Sequence, residues 1–428
     1  MKSIRIPITN LYAEGGYCAR FLIGSDATPV NLILDTGSST FVVSHKIITI
    51  TSELAFEGTT YVQDIQYGKG GWYGPVVHTH VGVKELDEHI DLAGVALAIT
   101  SKEEAASFLN ADGIMGLAYT ALNHAYDITS YLTENKVDPC VSYPYLMTNC
   151  SEDVPEYTHF LHQYPRIDLI PYFSQLEESG VVADQFALLT HRSSIYHTGE
   201  SNTDELAHTH HLKHGLFVLG APLKHDDLYQ EPILTVGVSH DKYYNVNVLS
   251  IQVGESAEIP APTLAEKHVK AYCTNGIVDS GATALVMPGE LLQQVKTQLI
   301  NHNAAFEKLL SPYNAFTGTE VGIPLSALDL DQWPDITLYL EGERKQPVAV
   351  TLTPDTYWQV HSPQSDQATF KLCSLPGWPN QLILGLPLLN NYYTIFDRSE
   401  GNTGVIRFAK KVDVPELVTS AIADAIQR

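Results

Sequence analysis

Asn31-Leu32-Ile33-Leu34-Asp35-Thr36-Gly37-Ser38-Ser39 decides the reading of this chain, because it returns as Gly276-Ile277-Val278-Asp279-Ser280-Gly281-Ala282-Thr283. Each copy is an apolar run that ends in Asp-Thr/Ser-Gly. A strand that stops at such a triplet delivers a carboxylate from a tight turn. The glycine lets the backbone approach closely, and the Thr or Ser hydroxyl is available for a supporting hydrogen bond. One copy alone reads as an ordinary turn; two copies behind matching apolar runs read as an internal repeat. A second echo follows each: Gly113-Ile114-Met115-Gly116-Leu117 after the first and Leu382-Ile383-Leu384-Gly385-Leu386 after the second. The chain therefore reads as two related lobes, 1–190 and 191–428. Their boundary is set after the apolar run Phe186–Leu189 and before the polar, histidine-rich stretch 191–214.

Working outward, β-branched and aromatic runs predict strands at Phe21–Gly24, Val30–Leu34, Val76–Val83, Phe186–Leu189 and Ile336–Leu340. Helical periodicity is confined to short pieces such as Gly289–Ile300, so the class is mainly β. With 44% hydrophobic and 17% charged residues, the 428-residue chain falls among soluble globular proteins. A net charge of −24 argues against nucleic acid as a partner, since such binding rests on Lys and Arg at phosphates. No run of eighteen apolar residues occurs, so no membrane partner is expected. Cys18, Cys140, Cys150, Cys273 and Cys373 are odd in number and contain no C-x-x-C pair. They read as reduced thiols, with a Cys140–Cys150 pairing left open. The start, Met1-Lys2-Ser3-Ile4-Arg5-Ile6-Pro7, lacks the apolar stretch of a secretory signal, so a cytoplasmic location is expected.

If the two lobes face each other about an approximate dyad, Asp35 and Asp279 meet within hydrogen-bonding distance and share one proton. Like charges that close cannot both ionise, so one pKa falls and the other rises, and the pair titrates as a unit. The ionised member then serves as general base on a bound water while the protonated member polarises the scissile carbonyl. A tetrahedral gem-diol results, with no acyl-enzyme and no metal or other cofactor. The need for one proton on the pair favours acidic pH.

On these residues the chain resembles the pepsin family of aspartic peptidases (peptidase A1) over nearly its whole length. Ile33-Leu34-Asp35-Thr36-Gly37-Ser38-Ser39, Ala111-Asp112-Gly113-Ile114-Met115-Gly116-Leu117-Ala118-Tyr119 and Asn391-Tyr392-Tyr393-Thr394-Ile395-Phe396-Asp397-Arg398 each stand close to the family pattern, in the family order. The resemblance implies a bilobal acid-protease fold: two pseudo-two-fold related, β-barrel-like lobes, a cleft between them and a β-hairpin flap. It implies an aspartic endopeptidase with Asp35 and Asp279 catalytic and with Thr36, Gly37, Ser38, Ser280 and Gly281 supporting them. Ile65-Gln66-Tyr67-Gly68-Lys69-Gly70-Gly71-Trp72-Tyr73-Gly74 resembles the flap; Tyr67 matches its tyrosine, and Gly68, Lys69 and Gly70 form its tip. Substrates would be peptides or proteins cut between hydrophobic residues, with Phe108 and Ile114 as candidates for the first subsite. Inhibition by pepstatin-type compounds and a monomeric state are expected.

Several positions depart from the family. Val42 stands where secreted relatives commonly carry a tryptophan, so the usual tryptophan-to-tyrosine hydrogen bond at the flap is left open, and Trp72 is not assigned as its replacement. Ala282 replaces a common hydroxyl residue, whereas Ser38 keeps one in the first lobe. The family's three disulfides cannot be drawn, and there is no room before Asp35 for the usual leader and propeptide. The chain is on these counts most similar to bacterial pepsin homologues such as the shewasins. The insertion from about Asn123 to Arg166 has no clear family match. His208-Thr209-His210-His211-Leu212-Lys213-His214 reads as a polar surface loop rather than a metal site. The tail, with Asp413 and Glu416 as a capping pattern, predicts a helix at about 414–427 that packs on the body. The competing reading is a non-catalytic groove on the same fold that holds a peptide or protein without cutting it.

Overall fold

The computed structural model describes residues 2–10, 15–47, 56–67, 70–85, 88–104, 107–149, 151, 153–191, 211–314 and 320–412. Gly68, Lys69, Cys150, His208, His210 and the tail helix expected at 414–427 lie outside the described residues.

The chain is mainly β and divides into two compact units: Cys18–Val182, and Met1–Tyr17 together with Ala183–Arg428. The sequence reading set the boundary at 190 and put the N-terminus in the first lobe. The N-terminal strand Ile4–Thr9 instead goes with the later unit, where it pairs antiparallel with His214–Leu219. Its period-two pattern explains the pairing: Ile4, Ile6 and Ile8 are buried, and Arg5, Pro7 and Thr9 are not. His214, expected in a polar loop, opens that buried partner strand.

In the unit Cys18–Val182 one sheet runs in the order Arg166–Asp168, His124–Asp127, Glu57–Gln66, Gly71–Glu85, Glu88–Ile99, Phe41–Val43, Gly113–Gly116, Thr28–Asp35, Cys18–Ile23. The long strand Gly71–Glu85 also pairs with Cys18–Ile23 through Leu22↔Gly82 and Ile23↔Val81, which curls the sheet back on itself. The expected insertion is ordered. Strand His124–Asp127, helices Thr129–Glu134, Tyr145–Thr148 and Val154–Leu161, and strand Arg166–Asp168 build a satellite core around Tyr126, Ile128, Leu132, Leu146, Val154, Tyr157 and Leu161. Asp153 caps the last of these helices by accepting from Glu156 N–H at 2.7 Å.

In the other unit the main sheet runs Ile4–Thr9, His214–Leu219, Gln185–Leu189, Tyr392–Asp397, Val405–Lys411, Tyr229–Gly237. A five-stranded sheet orders Asn245–Val246, Gly276–Val278, Leu382–Leu384, Leu285–Val286 and Leu372–Cys373. The helix expected at Gly289–Ile300 spans Gly289–His302 and buries Leu291, Leu292, Val295 and Leu299 along one face. Among the described residues Cys18, Cys140, Cys273 and Cys373 form no disulfide.

Candidate active site

Strand Thr28–Asp35 lies parallel to Gly113–Gly116, with Asp35 opposite Gly116, and Gly113–Gly116 lies antiparallel to Phe41–Val43. The chain thus leaves one side of a central strand at Asp35, turns, and returns along its other side. The second copy repeats this. Gly276–Val278 is parallel to Leu382–Leu384, with Val278 opposite Leu384, and Val286 pairs antiparallel with Ile383. Gly116 closes the first central strand and Gly385 directly follows the second, and neither leaves room for a Cβ. A Cβ on Gly116 would sit 2.4 Å from Ser39 backbone, and one on Gly385 would sit 2.3 Å from the Ala284 carbonyl oxygen. The echoed Gly-Leu pairs in the sequence mark the places where the turn carrying each aspartate crosses the central strand.

The two carboxylates are held by the same main-chain bond. Gly37 N–H donates to Asp35 Oδ1 at 2.7 Å, and Gly281 N–H donates to Asp279 Oδ1 at 2.8 Å. Their outer support differs. Ser38 Oγ donates to Asp35 Oδ2 at 2.5 Å, whereas Ala282 has no hydroxyl to offer Asp279. Asp35 is 7% exposed while Asp279 is less deeply buried, and Thr36 and Ser280 are buried beside them. Asp112, in the Ala-Asp-Gly motif, accepts the Asn31 N–H at 2.7 Å and ties the central strand's approach to the Asp35 strand. Burial pushes its carboxyl up, opposed by that bond.

Strands Glu57–Gln66 and Gly71–Glu85 form the expected hairpin, with Gln66 opposite Gly71 and Tyr67 N–H donating to the Gly70 carbonyl at 3.0 Å. Gly70 has φ +75°, and a Cβ there would meet Ser107 Oγ at 2.9 Å. Trp72, opposite Ile65 and fully buried, donates its indole N–H to the Tyr67 hydroxyl at 3.0 Å. The donor to the flap tyrosine, left open by the sequence, thus comes from within the hairpin. Burial pushes the Tyr67 phenol up; the Trp72 N–H opposes this, and the nearby Asp35 charge adds to it. The Gly71 carbonyl accepts from Glu104 N–H and Ser107 Oγ, both at 2.9 Å, so the second flap strand is bonded along both edges.

A family model described as eukaryotic aspartyl protease matches residues 16–144 and 206–410. The chain belongs to this family. It is 22% identical to pepsin A of Gallus gallus over 416 residues, covering 93% of this chain and 86% of that protein. It is 23% identical to pepsin A of Sus scrofa over 419 residues, covering 93% and 83%. A beta-secretase of Strongylocentrotus purpuratus is 21% identical over 414 residues, covering 92% of this chain and 66% of that protein.

Membership of the aspartyl protease family makes the chain an aspartic endopeptidase (EC 3.4.23). Within the first unit, this protease gathers Asp35, Ser38 and Tyr67, while Asp279 sits in an equivalent turn of the other unit. Phe108 follows Ser107, which touches the flap, and Ile114 lies on the central strand between Ile33 and Val42; both are 5% exposed. Sequence reasoning left Trp72, Ser107 and Asp112 without roles. For Trp72 the available signal was a bulky donor five residues past the flap tyrosine, across a glycine-rich turn. Among the described residues no cluster of three metal-binding side chains occurs, and no helix is long and apolar enough to cross a membrane.

Proposed function

We propose that this protease cuts internal peptide bonds of extended polypeptides, using a water held between Asp35 and Asp279 as nucleophile. The observation that supports it most is the duplicated turn, in which each aspartate is fixed by the N–H of the glycine two residues on. Carboxylates so held are fixed in orientation, and each oxygen keeps a lone pair for a water or substrate. The ionised member takes a proton from water, the protonated member donates toward the scissile carbonyl oxygen, and the collapsing gem-diol returns a proton to the leaving nitrogen. Tyr67, locked by Trp72, then covers the substrate backbone and excludes water.

Preference for hydrophobic side chains beside the scissile bond is inferred from Phe108 and Ile114. An acidic optimum follows from the single proton the pair must carry. A pepstatin-type compound, whose hydroxyl mimics the tetrahedral species, should inhibit. The protease is proposed to act as a monomer, because both half-sites lie in one chain. A reducing, cytoplasmic setting is proposed because no disulfide joins Cys18, Cys140, Cys273 or Cys373 among the described residues. Cleavage of a hydrophobic peptide should be followed across pH, with and without such an inhibitor, beside Asp35→Ala and Asp279→Ala. Inhibitable, acid-favoured cleavage that both substitutions abolish is the expected result; equal cleavage by the variants would reject the reading.

A further inference from the structure

The inserted segment is bolted to the flap hairpin. Tyr126 and Asp127 pair with Val62 and Tyr61 of the first flap strand. Ser142 Oγ donates to the Tyr61 carbonyl at 2.8 Å, and Gln63 Nε2 donates to Asn123 Oδ1 at 2.8 Å. On the second strand, the Tyr73 ring stacks on Tyr157 at 4.1 Å and its hydroxyl donates to the Ser151 carbonyl at 2.5 Å. The helices Tyr145–Thr148 and Val154–Leu161 fall in 145–205, the stretch the family model leaves unmatched. The brace thus joins matched residues, Asn123, Tyr126, Asp127 and Ser142, to two helices that the family model leaves unmatched.

One contact in the brace is incomplete. Asp64, three residues before Tyr67 and opposite Tyr73, is 7% exposed, and among the described residues its Oδ1 has no hydrogen-bond partner. Facing it is His162, the residue that ends helix Val154–Leu161; its Nε2 lies 3.6 Å from Asp64 Oδ2, and its ring is half exposed. Burial pushes the Asp64 carboxyl up, opposed by the Thr158 hydroxyl and His162. The other titratable groups around the pair come from the two inserted strands. Tyr126 lies 5.1 Å from the His162 ring, and burial and then the Asp64 charge push its hydroxyl up. His124 sits edge-on to Tyr126 and is pushed down to about 4 by burial and then by Arg166, with Asp168 opposing. Arg166 is itself 3.7 Å from Asp168.

A buried carboxylate beside a half-exposed imidazole holds firmly only while the imidazole is charged. Histidine gains and loses that charge between about pH 5 and 8. Above this range Asp64 would keep the Thr158 hydroxyl but lose the imidazolium against its charge, a costly state for a buried anion. We propose that Asp64 and His162 form a protonation-dependent strut that positions Tyr67, tying the flap strand to the inserted helix in mild acid and releasing it as the imidazole loses its proton. The consequence for cleavage rests on the function proposed above; the strut itself does not.

The test compares the wild-type protein with His162→Gln, Asp64→Asn and the double variant in two readouts. The first is kcat and KM for a hydrophobic peptide across about pH 5 to 8. The second is the NMR resonance of the Trp72 indole N–H, assigned by its loss in Trp72→Phe, which reports the Tyr67 contact without any substrate. In the wild type, KM should rise about threefold to tenfold through the histidine range with the indole resonance moving alongside it. Each single variant should flatten both, and the double variant should add nothing, as for one coupled pair. His162 is half exposed, so the Gln variant should fold even if the Asp64 variant does not. An indole resonance that is pH-independent in the wild type, or that titrates unchanged in His162→Gln, would overturn the strut. A resonance that behaves as expected in a protein that cleaves no peptide would uphold the strut and reject the proposed function instead.

Discussion

The turn at Asp35 and the turn at Asp279 share a backbone and differ in side chains. Both carboxylates accept from the N–H of the glycine two residues on, at 2.7 and 2.8 Å, and both rest on a central strand closed or directly followed by a glycine that leaves no room for a Cβ. Asp35 takes the Ser38 hydroxyl on its outer oxygen, whereas Ala282 has none to give Asp279, and the unit of Asp35 carries the flap and the inserted brace. The difference separates what the turn needs to exist from what adjusts each acid. Backbone N–H groups and glycines are the common part; hydroxyls, aromatics and insertions are the variable one.

The harshest way to test that separation is to remove the acids themselves. Asp35→Asn and Asp279→Asn should each cut kcat by about 10³-fold or more in peptide hydrolysis, with a folded protein by circular dichroism. The glycines come next: Gly116→Ala and Gly385→Ala each push a Cβ against backbone, and each should cost about 3 kcal/mol or more in denaturant unfolding.

A third comparison sets the braced unit against the unbraced one in acid. His124 in the insertion is pushed down from its ordinary 6.5 to about 4, so the unfolded chain takes up a proton that the folded protein resists. Stability should therefore fall as pH drops from about 6.5 toward 4, by about 1–2 kcal/mol from this residue alone. In His124→Gln that loss should disappear from thermal melts taken across the same range. Trp72→Phe, which leaves the Tyr67 hydroxyl without its donor and a gap where a fully buried indole sat, should lower kcat/KM about fivefold to tenfold and cost about 1–3 kcal/mol in denaturant unfolding. The smallest effect is the most specific to the comparison. Ser38→Ala should raise the acidic limb of the pH profile by about one unit, because a hydrogen bond to the charged carboxylate is lost, and Ala282→Thr should lower it. Profiles unmoved by both would show that the hydroxyl does not tune the pair.

The parts legible in the sequence were local. The two Asp-Thr/Ser-Gly turns and the Gly-Leu echoes lie within a few residues of the backbone they shape, and the strand at Val30–Leu34 and the helix from Gly289 follow their own periodicities. Contacts set by long-range packing were not legible. Trp72 reaches Tyr67 only because the turn fixes Gln66 opposite Gly71, a register that periodicity does not state. The strand Ile4–Thr9 shows its alternation plainly, but its partner His214–Leu219 lies some two hundred residues away along the chain. Tyr157 stacking on Tyr73 belongs to the same class, joining a helix that the family model leaves unmatched to the hairpin it supports.

The central claim is that Asp35 and Asp279, one from each unit, act on a single reacting centre. The most direct measurement is a crystal structure of the protein with a pepstatin-type inhibitor bound. The account predicts the inhibitor's central hydroxyl within about 3 Å of both carboxylates, beneath the Tyr67 hairpin. A hydroxyl reaching only one of them, or two carboxylates too far apart to share a ligand, would contradict it.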